Sequence, residues 1–225
     1  MQHIGIVACS AEGAALCYRT ICVEGGDHPE VSMHGHSFEE YVRRIDRDDW
    51  DGVGDLMLSS ANKLAAAGAD FLICPDNTVH RVFPYVRARS PLPWLHIADV
   101  VMARARERGF QRIGLTGTRW LVTSDVYPAD CVRPDADERE EINRIIMQEL
   151  VKGIFKPEAV AYFQRVFNRM KDAGCDAVIL GCTEIPLIMN DTNSPLPVLD
   201  STRLLARAAL QIGVRATVSR FFHER

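Results

Sequence analysis

Short apolar runs recur along the chain, and small or polar residues close each of them. The runs are IGIV at 4–7, FLIC at 71–74, IGLT at 113–116 and AVIL at 177–180. Runs of this length and composition are typical of strands that are buried on both faces of a parallel sheet. We therefore predict that these segments are core strands.

Longer segments between the runs have the apolar spacing of helices. Residues 156–173 and 51–67 each carry such a pattern, and each is followed by a glycine that ends the predicted helix. Residues 93–109 and 197–213 each resemble a short strand followed by a helix. Because strands and helices alternate, we predict an α/β fold with parallel sheets flanked by helices.

The two halves of the chain are similar to each other. Three segments of the first half match three of the second half, in the same order and at nearly constant offsets. The pairs are 4–9 with 113–118, 68–80 with 174–186, and 90–105 with 194–209. Collinear matches of this kind predict an internal duplication. We expect a first lobe at 1–96, completed by part of 197–225, a second lobe at 97–196, pseudo-two-fold symmetry between them, and an active site in the cleft.

The same overlay places Asp76 on Cys182. Ligands of parallel sheets bind at the carboxyl ends of the strands, where both residues are expected. Two opposed acid/base groups suit inversion at carbon, because one removes a proton and the other returns one to the opposite face. We also expect Cys182 to open a helix, whose N-terminus would favour a thiolate.

Short hydrogen-bond donors stand near the predicted strand ends. With backbone N–H groups they could hold a carboxylate and the enolate-like charge that develops on it, or they could cap helices, and the two roles are compatible. These residues are Ser10, Asn77, Thr78, Thr118 and Thr183. His80 lies four residues after Asp76 and could orient Asp76 or the substrate, or simply pack.

Composition narrows the class of protein. The 225 residues carry a formal net charge of −4, which argues against nucleic acid as the main partner. No apolar run approaches the roughly 20 residues of a membrane span, and the N-terminus lacks a secretory signal pattern. Seven cysteines without a C-x-x-C motif fit a reducing compartment, so we expect a cytoplasmic protein. The HGH motif at 34–36 is interpreted as solvated loop histidines rather than a metal site.

Four motifs together resemble the aspartate/glutamate racemase family. They are PDNTVH at 75–80, IGLTGT at 113–118, GCTEIPL at 181–187 and LPVLDST at 196–202. The resemblance implies an isomerase of amino-acid metabolism that needs neither pyridoxal phosphate nor a metal, and that is often a homodimer. Its two lobes would each contribute a catalytic cysteine, and the substrate would be a small amino acid similar to aspartate or glutamate.

The resemblance also implies roles for individual residues. Cys182 would be the thiol acid/base, and Glu184, which follows Cys-Thr, is similar to the aspartate racemase branch. The α-carboxylate would be bound by Asn77, Thr78 and Thr183. The loops at Ser10 and Thr118 would complete the cleft.

Asp76 departs from the family pattern, because the family has its first catalytic cysteine at that position. Asp76 could be the second base, could bind the substrate ammonium group, or could be a turn residue. Cys74, two residues earlier, is expected to be a core thiol. If Cys182 acts alone, the alternatives are a lyase or decarboxylase, similar to the arylmalonate decarboxylases, and a non-catalytic protein that binds an amino acid or dicarboxylate. We predict the racemase or epimerase.

Overall fold

The computed structural model describes the backbone of residues 1–221 and the side chains of residues 1–213. Contacts between residues divide the chain into two compact units. Unit 1 contains Met1–Ile97 and the part of the last helix that begins at Thr202, and unit 2 contains Ala98–Ser201. Over the described residues, no helix is both long and apolar enough to cross a membrane.

Unit 1 is built on three parallel strands, β1 (Ile4–Ala8), β2 (Val31–Gly35) and β3 (Phe71–Ile73). β1 is central, in the order β2-β1-β3, and is largely buried. The helices of this unit are α1 (Ala11–Glu24), α2 (Phe38–Asp46), α3 (Trp50–Ala66) and α4 (Phe83–Arg87). A 3-10 helix, Thr78–Val82, precedes α4.

Unit 2 begins with α5 (Ile97–Glu107), of which only Ile97 belongs to unit 1, and has its own parallel sheet. Its strands are β4 (Ile113–Thr116), β5 (Ala177–Leu180) and β6 (Val198–Asp200), in the order β4-β5-β6. Its other helices are α6 (Arg119–Val122), α7 (Ala136–Gln148) and α8 (Pro157–Asp172). The last helix, α9 (Ser201–Phe221), starts at the final residue of unit 2 and continues in unit 1. Two 3-10 helices lie at Leu150–Lys152 and Ile185–Leu187.

The prediction of an α/β fold with parallel sheets flanked by helices is confirmed. The apolar runs form β1, β3, β4 and β5. α8 corresponds to the helix predicted at 156–173, and its side chains Phe163, Phe167 and Met170 are fully buried in the core of unit 2. Burial of each such side chain contributes about 1.5–3 kcal/mol to folding, so this helix is fixed mainly by its apolar stripe.

The apolar pattern does not predict β2, because β2 is an edge strand of mixed polarity. Met33 in its middle is 52% exposed, whereas its neighbours are partly covered. The HGH motif at 34–36 therefore begins inside this strand, and its interpretation as solvated loop histidines is wrong for His34, whereas His36 lies just past the end of β2. His34 is partly buried, and its Nδ1 lies 3.0 Å from the hydroxyl of Ser60 on α3.

Matched aspartates brace the sheet in each unit. The carboxylate of Asp70 accepts a hydrogen bond from the backbone amide of His3 at 2.7 Å, just before β1. The carboxylate of Asp176 accepts from the amides of Gln111 at 2.7 Å and Arg112 at 3.2 Å, just before β4. The overlay of the two halves aligns these aspartates, and each one ties the start of its own strand to the start of the neighbouring strand.

Matched serines fix the two Ser-Pro-Leu-Pro segments in the same way. Ser90 accepts from the amide of Leu92 at 3.3 Å and donates to its carbonyl at 2.8 Å. Ser194 accepts from the amide of Leu196 at 3.2 Å and donates to its carbonyl at 2.6 Å. The repeated motif thus forms the same local turn in each unit.

Candidate active site

The thiol of Cys182 lies beside a buried carboxylate at the carboxyl end of β5. Its Sγ donates a hydrogen bond to Glu184 Oε2 at 2.9 Å, and Thr183 Oγ1 donates to the same oxygen at 3.3 Å. The three residues are all buried, with Glu184 only 2% exposed. Because a buried carboxylate needs hydrogen-bond donors, the two side chains stabilise Glu184, and Glu184 in turn orients the thiol.

Cys182 does not open an α-helix, so that expectation is wrong. The chain instead forms the 3-10 helix Ile185–Leu187, in which the amide of Ile185 donates to the carbonyl of Cys182 at 3.2 Å. The helical turn ends at Ile188, whose backbone leaves the helical conformation. One short 3-10 turn has a small dipole. The main electrostatic influence on the Cys182 thiol is therefore Glu184 and not a helix N-terminus.

Close backbone packing holds the Cys182 loop against the end of β4. The amide of Gly181 donates to the carbonyl of Thr116 at 2.8 Å. A Cβ at Gly181 would lie 2.5 Å from that same carbonyl oxygen, and backbone cannot move aside as a flexible side chain can. Glycine is therefore required immediately before the catalytic candidate, because only glycine allows this approach.

Two of the predicted polar residues are helix caps. Ser10 Oγ accepts from the amide of Gly13 at 3.3 Å and caps α1. Thr118 Oγ1 accepts from the amide of Leu121 at 3.2 Å and caps α6. Both follow a strand and are buried. The cap positions them at the carboxyl ends of β1 and β4, which is where a ligand of these sheets would bind.

Asp76 stands at the carboxyl end of β3 and closes a turn. Its Oδ1 accepts from the amide of Val79 at 3.2 Å, while Asn77 and Thr78 beside it are 1% and 8% exposed. The chain then forms the 3-10 helix Thr78–Val82. Asp76 is less buried than its two neighbours. Its side chain thus has a turn role, and the sheet edge remains within its reach.

His80 orients the backbone of Asp76 rather than its carboxylate. Its Nε2 accepts from the amide of Ile97 at 3.4 Å, so the proton is assigned to Nδ1, which donates to the carbonyl of Asp76 at 2.6 Å. Burial, with a further effect from His96, lowers the pKa of His80 to about 3. The ring is therefore neutral, and its two hydrogen bonds link the Asp76 turn to the start of α5.

Cys74 is a core thiol, as predicted. It is fully buried at the end of β3, and burial raises its pKa well above the ordinary value, with the charge of Asp76 acting in the same direction. A thiol in this state is a poor base. Cys74 therefore does not replace the missing family cysteine at position 76.

The sequence pattern missed a polar cluster in unit 1, formed by His34 on β2, Tyr41 on α2, and Ser60 and Lys63 on α3. Tyr41 is fully buried, and its hydroxyl has no hydrogen-bond partner among the described residues. An unpaired hydroxyl in a protein interior costs about 1–3 kcal/mol. The signal for Tyr41 is its position one helical turn before Ile45, the other buried residue of α2, but neither β2 nor α2 stands out in the apolar pattern.

Within the residues that the structure describes, no group of three or more His, Cys, Asp or Glu side chains is arranged to hold a metal ion.

Comparison with known proteins identifies relatives along most of the chain. The family model Asp/Glu/Hydantoin racemase matches residues 16–209. The broad specificity amino-acid racemase RacX of Bacillus subtilis (strain 168) is 22% identical over 190 residues, which are 82% of this chain and 82% of that protein.

Solved structures also resemble the chain. A candidate Asp/Glu racemase from Yersinia pestis is 30% identical, with a TM-score of 0.84 over 95% of this chain and 100% of that one. An aspartate racemase homologue from Pyrococcus horikoshii OT3 is 28% identical, with a TM-score of 0.80 over 95% of this chain and 100% of that one.

Proposed function

Because the chain belongs to the Asp/Glu/hydantoin racemase family and is an isomerase of the amino-acid racemase type, we propose that it inverts the α-carbon of a small amino acid. The substrate is similar to aspartate or glutamate, and the reaction needs neither pyridoxal phosphate nor a metal. The observation that carries the proposal is the buried thiol of Cys182, held 2.9 Å from Glu184 at the carboxyl end of β5.

Cys182 acts as the thiol acid/base of one face. In the resting enzyme the sulfur carries the proton and donates it in a hydrogen bond to Glu184. Transfer of that proton to Oε2 gives a thiolate and a neutral carboxyl group, so the pair keeps a single negative charge in a buried place. The thiolate then takes the α-proton, and the electron pair of the C–H bond moves into the enolate-like form of the α-carboxylate.

Asp76 acts on the other face. In the direction that Cys182 begins, Asp76 starts protonated, gives its proton to the planar carbon from the side opposite Cys182 and becomes the carboxylate. When the opposite enantiomer is bound, Asp76 starts as the carboxylate and takes the α-proton. In this proposal Asp76 and Cys182 hold equivalent positions in the two similar halves of the sequence. The proposal is supported by the overlay of Asp76 on Cys182 and by the matched bracing contacts of Asp70 and Asp176.

The α-carboxylate is bound by Asn77, Thr78 and Thr183. Each is buried and lies just past the carboxyl end of β3 or β5. Hydrogen bonds to this carboxylate become stronger as it gains enolate charge, which stabilises the transition state. Ser10 and Thr118 hold the neighbouring loops in position through their caps.

A second function, one-sided protonation by a lyase or decarboxylase, is favoured by one observation. Asp76 stands where the family has cysteine, and its carboxylate already accepts from the amide of Val79. If that contact occupies Asp76, Cys182 is the sole acid/base and protonates only one face. A third candidate is a protein that binds the amino acid without turnover.

Incubation with single enantiomers of aspartate, glutamate and alanine in heavy water separates these functions. The racemase incorporates deuterium at Cα and forms both enantiomers. A lyase consumes the amino acid or releases carbon dioxide. A binding protein does neither, but its melting temperature rises with ligand. Incorporation without any inversion would reject the racemase.

Two further predictions come from the family resemblance. We propose a homodimer, which light scattering would measure as about twice the chain mass. We also propose a cytoplasmic location, which fractionation of the source cells would test.

A further inference from the structure

The hydroxyl of Tyr41 is a buried polar group that lacks a hydrogen-bond partner among the described residues. Tyr41 is 0% exposed, and Oη makes no hydrogen bond within the described part of the chain. Tyr41 lies on α2, which follows β2, so this end of the helix is near the carboxyl edge of the sheet in unit 1. Buried polar groups in native proteins are almost always paired, and an exception indicates a water, an ion or a ligand.

A chain of hydrogen bonds leads from the surface towards this hydroxyl. Lys63 Nζ lies 3.0 Å from His34 Nε2, and His34 Nδ1 lies 3.0 Å from Ser60 Oγ. An ammonium group can only donate, so Nε2 of His34 accepts and Nδ1 carries the proton, which it donates to Ser60. Burial, followed by the charge of Lys63, lowers the pKa of His34, in agreement with a neutral ring.

Ser60 is the next group after His34 in this series of hydrogen bonds. Its oxygen accepts from His34, so its own hydrogen is available as a donor on the side of Tyr41. The two hydroxyls stop short of hydrogen-bond geometry, yet Ser60 lowers the pKa of Tyr41, as a donor to the phenolic oxygen would. The O–H of Tyr41 therefore has no acceptor among the described residues.

Tyr41 follows β2 and Asp76 follows β3 of the same parallel sheet, so both lie on the side of unit 1 where the strands end. The pKa of Tyr41 is raised well above the ordinary value, first by burial and then by Cys9, Cys74 and Asp76. These three groups stand at the carboxyl ends of β1 and β3. The phenol therefore stays protonated and can donate a hydrogen bond next to Asp76.

We propose that Tyr41 is a specificity-determining residue that donates a hydrogen bond to an acceptor oxygen on the substrate side chain. The inference rests on the proposed function, because it takes an amino acid bound beside Asp76 as its starting point. The substrate class is then an amino acid whose side chain ends in a carboxylate, amide or hydroxyl. Ser60, which is linked to His34 and Lys63, interacts with this hydroxyl.

The order of the strands favours the side chain over the α-carboxylate as the acceptor. The residues proposed to bind the α-carboxylate in unit 1, Asn77 and Thr78, follow β3. Tyr41 follows β2, and β1 lies between β2 and β3. A ligand held at Asp76 would present different groups to these two sides of the sheet.

The experiment measures binding in the Cys182→Ala background, so that turnover does not disturb the titration. Calorimetry compares aspartate with alanine, with and without the additional change Tyr41→Phe. We expect aspartate to bind at least about tenfold more weakly after loss of the hydroxyl, and alanine to be unchanged. Ser60→Ala should weaken aspartate binding in the same direction but less, by about two- to fivefold, because the phenol loses its orienting donor.

Tyr85→Phe is the matched control, since its hydroxyl donates to Asp55 at 2.7 Å and has a partner already. It should leave both affinities unchanged. Tyr41→Phe should keep or raise the melting temperature, because it removes an unpaired buried hydroxyl. Equal losses for aspartate and alanine, no loss for either, or a clear fall in melting temperature would each overturn the assignment.

Failure of the proposed function would appear in a different measurement. If wild-type protein exchanges no α-proton of any amino acid in heavy water, the racemase proposal fails. The calorimetric comparison still decides the role of Tyr41, because it needs binding only. If the Cys182→Ala protein binds aspartate no more tightly than alanine, the Tyr41 proposal fails whatever the exchange experiment shows.

Discussion

Cys182 Sγ and Glu184 Oε2 are 2.9 Å apart, although only one residue separates them in the chain. The contact exists because β5 ends just before Cys182 and the chain turns at once into a 3-10 helix. Thr183 donates to the same oxygen, so a single buried carboxylate collects both side chains. A thiol and its proton acceptor are thus supplied by one short turn, and the chemistry of this face can be tested with single substitutions.

Cys182→Ala should abolish exchange of the α-proton while leaving the fold intact. The thiol is the proposed base, and its loss should lower kcat by at least about 1,000-fold. Glu184 would lose one of its donors, so we expect a small fall in melting temperature. Deuterium incorporation followed by mass spectrometry, with far-UV circular dichroism for the fold, measures both. A folded variant of full activity would reject Cys182 as the acid/base.

Glu184→Gln should remove the proton acceptor of Cys182 without changing the shape of the side chain. We expect kcat to fall by about 100-fold or more and KM to change much less, since general-base assistance is made mainly in the transition state. The control is Glu158→Gln in the first turn of α8, where the carboxylate is exposed. Equal kinetics for the Glu184 variant and this control would show that Glu184 only packs.

Four of the six strands could be predicted because they are almost entirely apolar. β1, β3, β4 and β5 consist almost only of apolar residues, as buried strands do, so their runs are easy to recognise in the sequence. β2 could not be found in this way, because an edge strand that carries Ser32 and His34 among apolar residues has no distinctive run. Tyr41 was missed for the same reason, since it lies on the helix that follows this strand.

The sequence predicts the candidate site only where the type of a residue is enough to decide the role of that residue. The overlay of the two halves points to position 76 and to Cys182, and capping chemistry points to Ser10 and Thr118. The contact between Cys182 and Glu184 depends on a turn that replaces the expected helix, and no spacing rule distinguishes the two. The hydrogen bond between His80 and Ile97 joins residues 17 positions apart, and nothing in the sequence indicates that they pair.

Asp76→Asn tests whether the carboxylate is a base or a turn residue. The amide oxygen of Asn can still accept from the amide of Val79, so the turn should survive and the melting temperature should change little. Inversion should fall by about 100-fold if Asp76 transfers a proton. Chiral chromatography of the products measures inversion apart from exchange. Unchanged inversion would leave Asp76 with a structural role alone.

Asp76→Cys restores the residue that the family has at this position. If the two faces work as proposed, inversion of an aspartate-like substrate should increase, because a thiol suits α-proton transfer better than an ordinary carboxylate. Cys74→Ser is not expected to reproduce any of this effect, since Cys74 is fully buried. The comparison is made on kcat/KM in both directions of the reaction. An inversion rate that stays the same or falls would show that Asp76 is more than a replaced base.

Gly181→Ala should shift the loop that carries Cys182 while leaving the side chains of Cys182 and Glu184 chemically unchanged. The added Cβ would lie 2.5 Å from the carbonyl oxygen of Thr116, so the loop must shift and the hydrogen bond between them must lengthen. We expect stability to fall by about 1–3 kcal/mol and kcat to fall with it. Urea unfolding and exchange kinetics check the two effects. Gly153→Ala is a poor control because of its positive φ, so Ala173→Gly, at the end of α8, serves to measure an ordinary glycine effect.

His80 should make the stability of unit 1 depend on pH. Its folded pKa, about 3, is below the ordinary value of 6.5, so the unfolded chain binds the proton more tightly. The stability that the neutral ring contributes is therefore complete above about pH 6.5 and is lost as the pH falls towards 3, by on the order of 1 kcal/mol per pH unit. Other groups also titrate in acid, so the informative quantity is the difference between wild type and His80→Gln. Urea unfolding between about pH 8 and pH 5 should show a shallower loss for the variant, whereas His28→Gln, at an exposed histidine, should follow the wild type. Parallel curves for wild type and His80→Gln would mean that the ring is not held neutral by the fold.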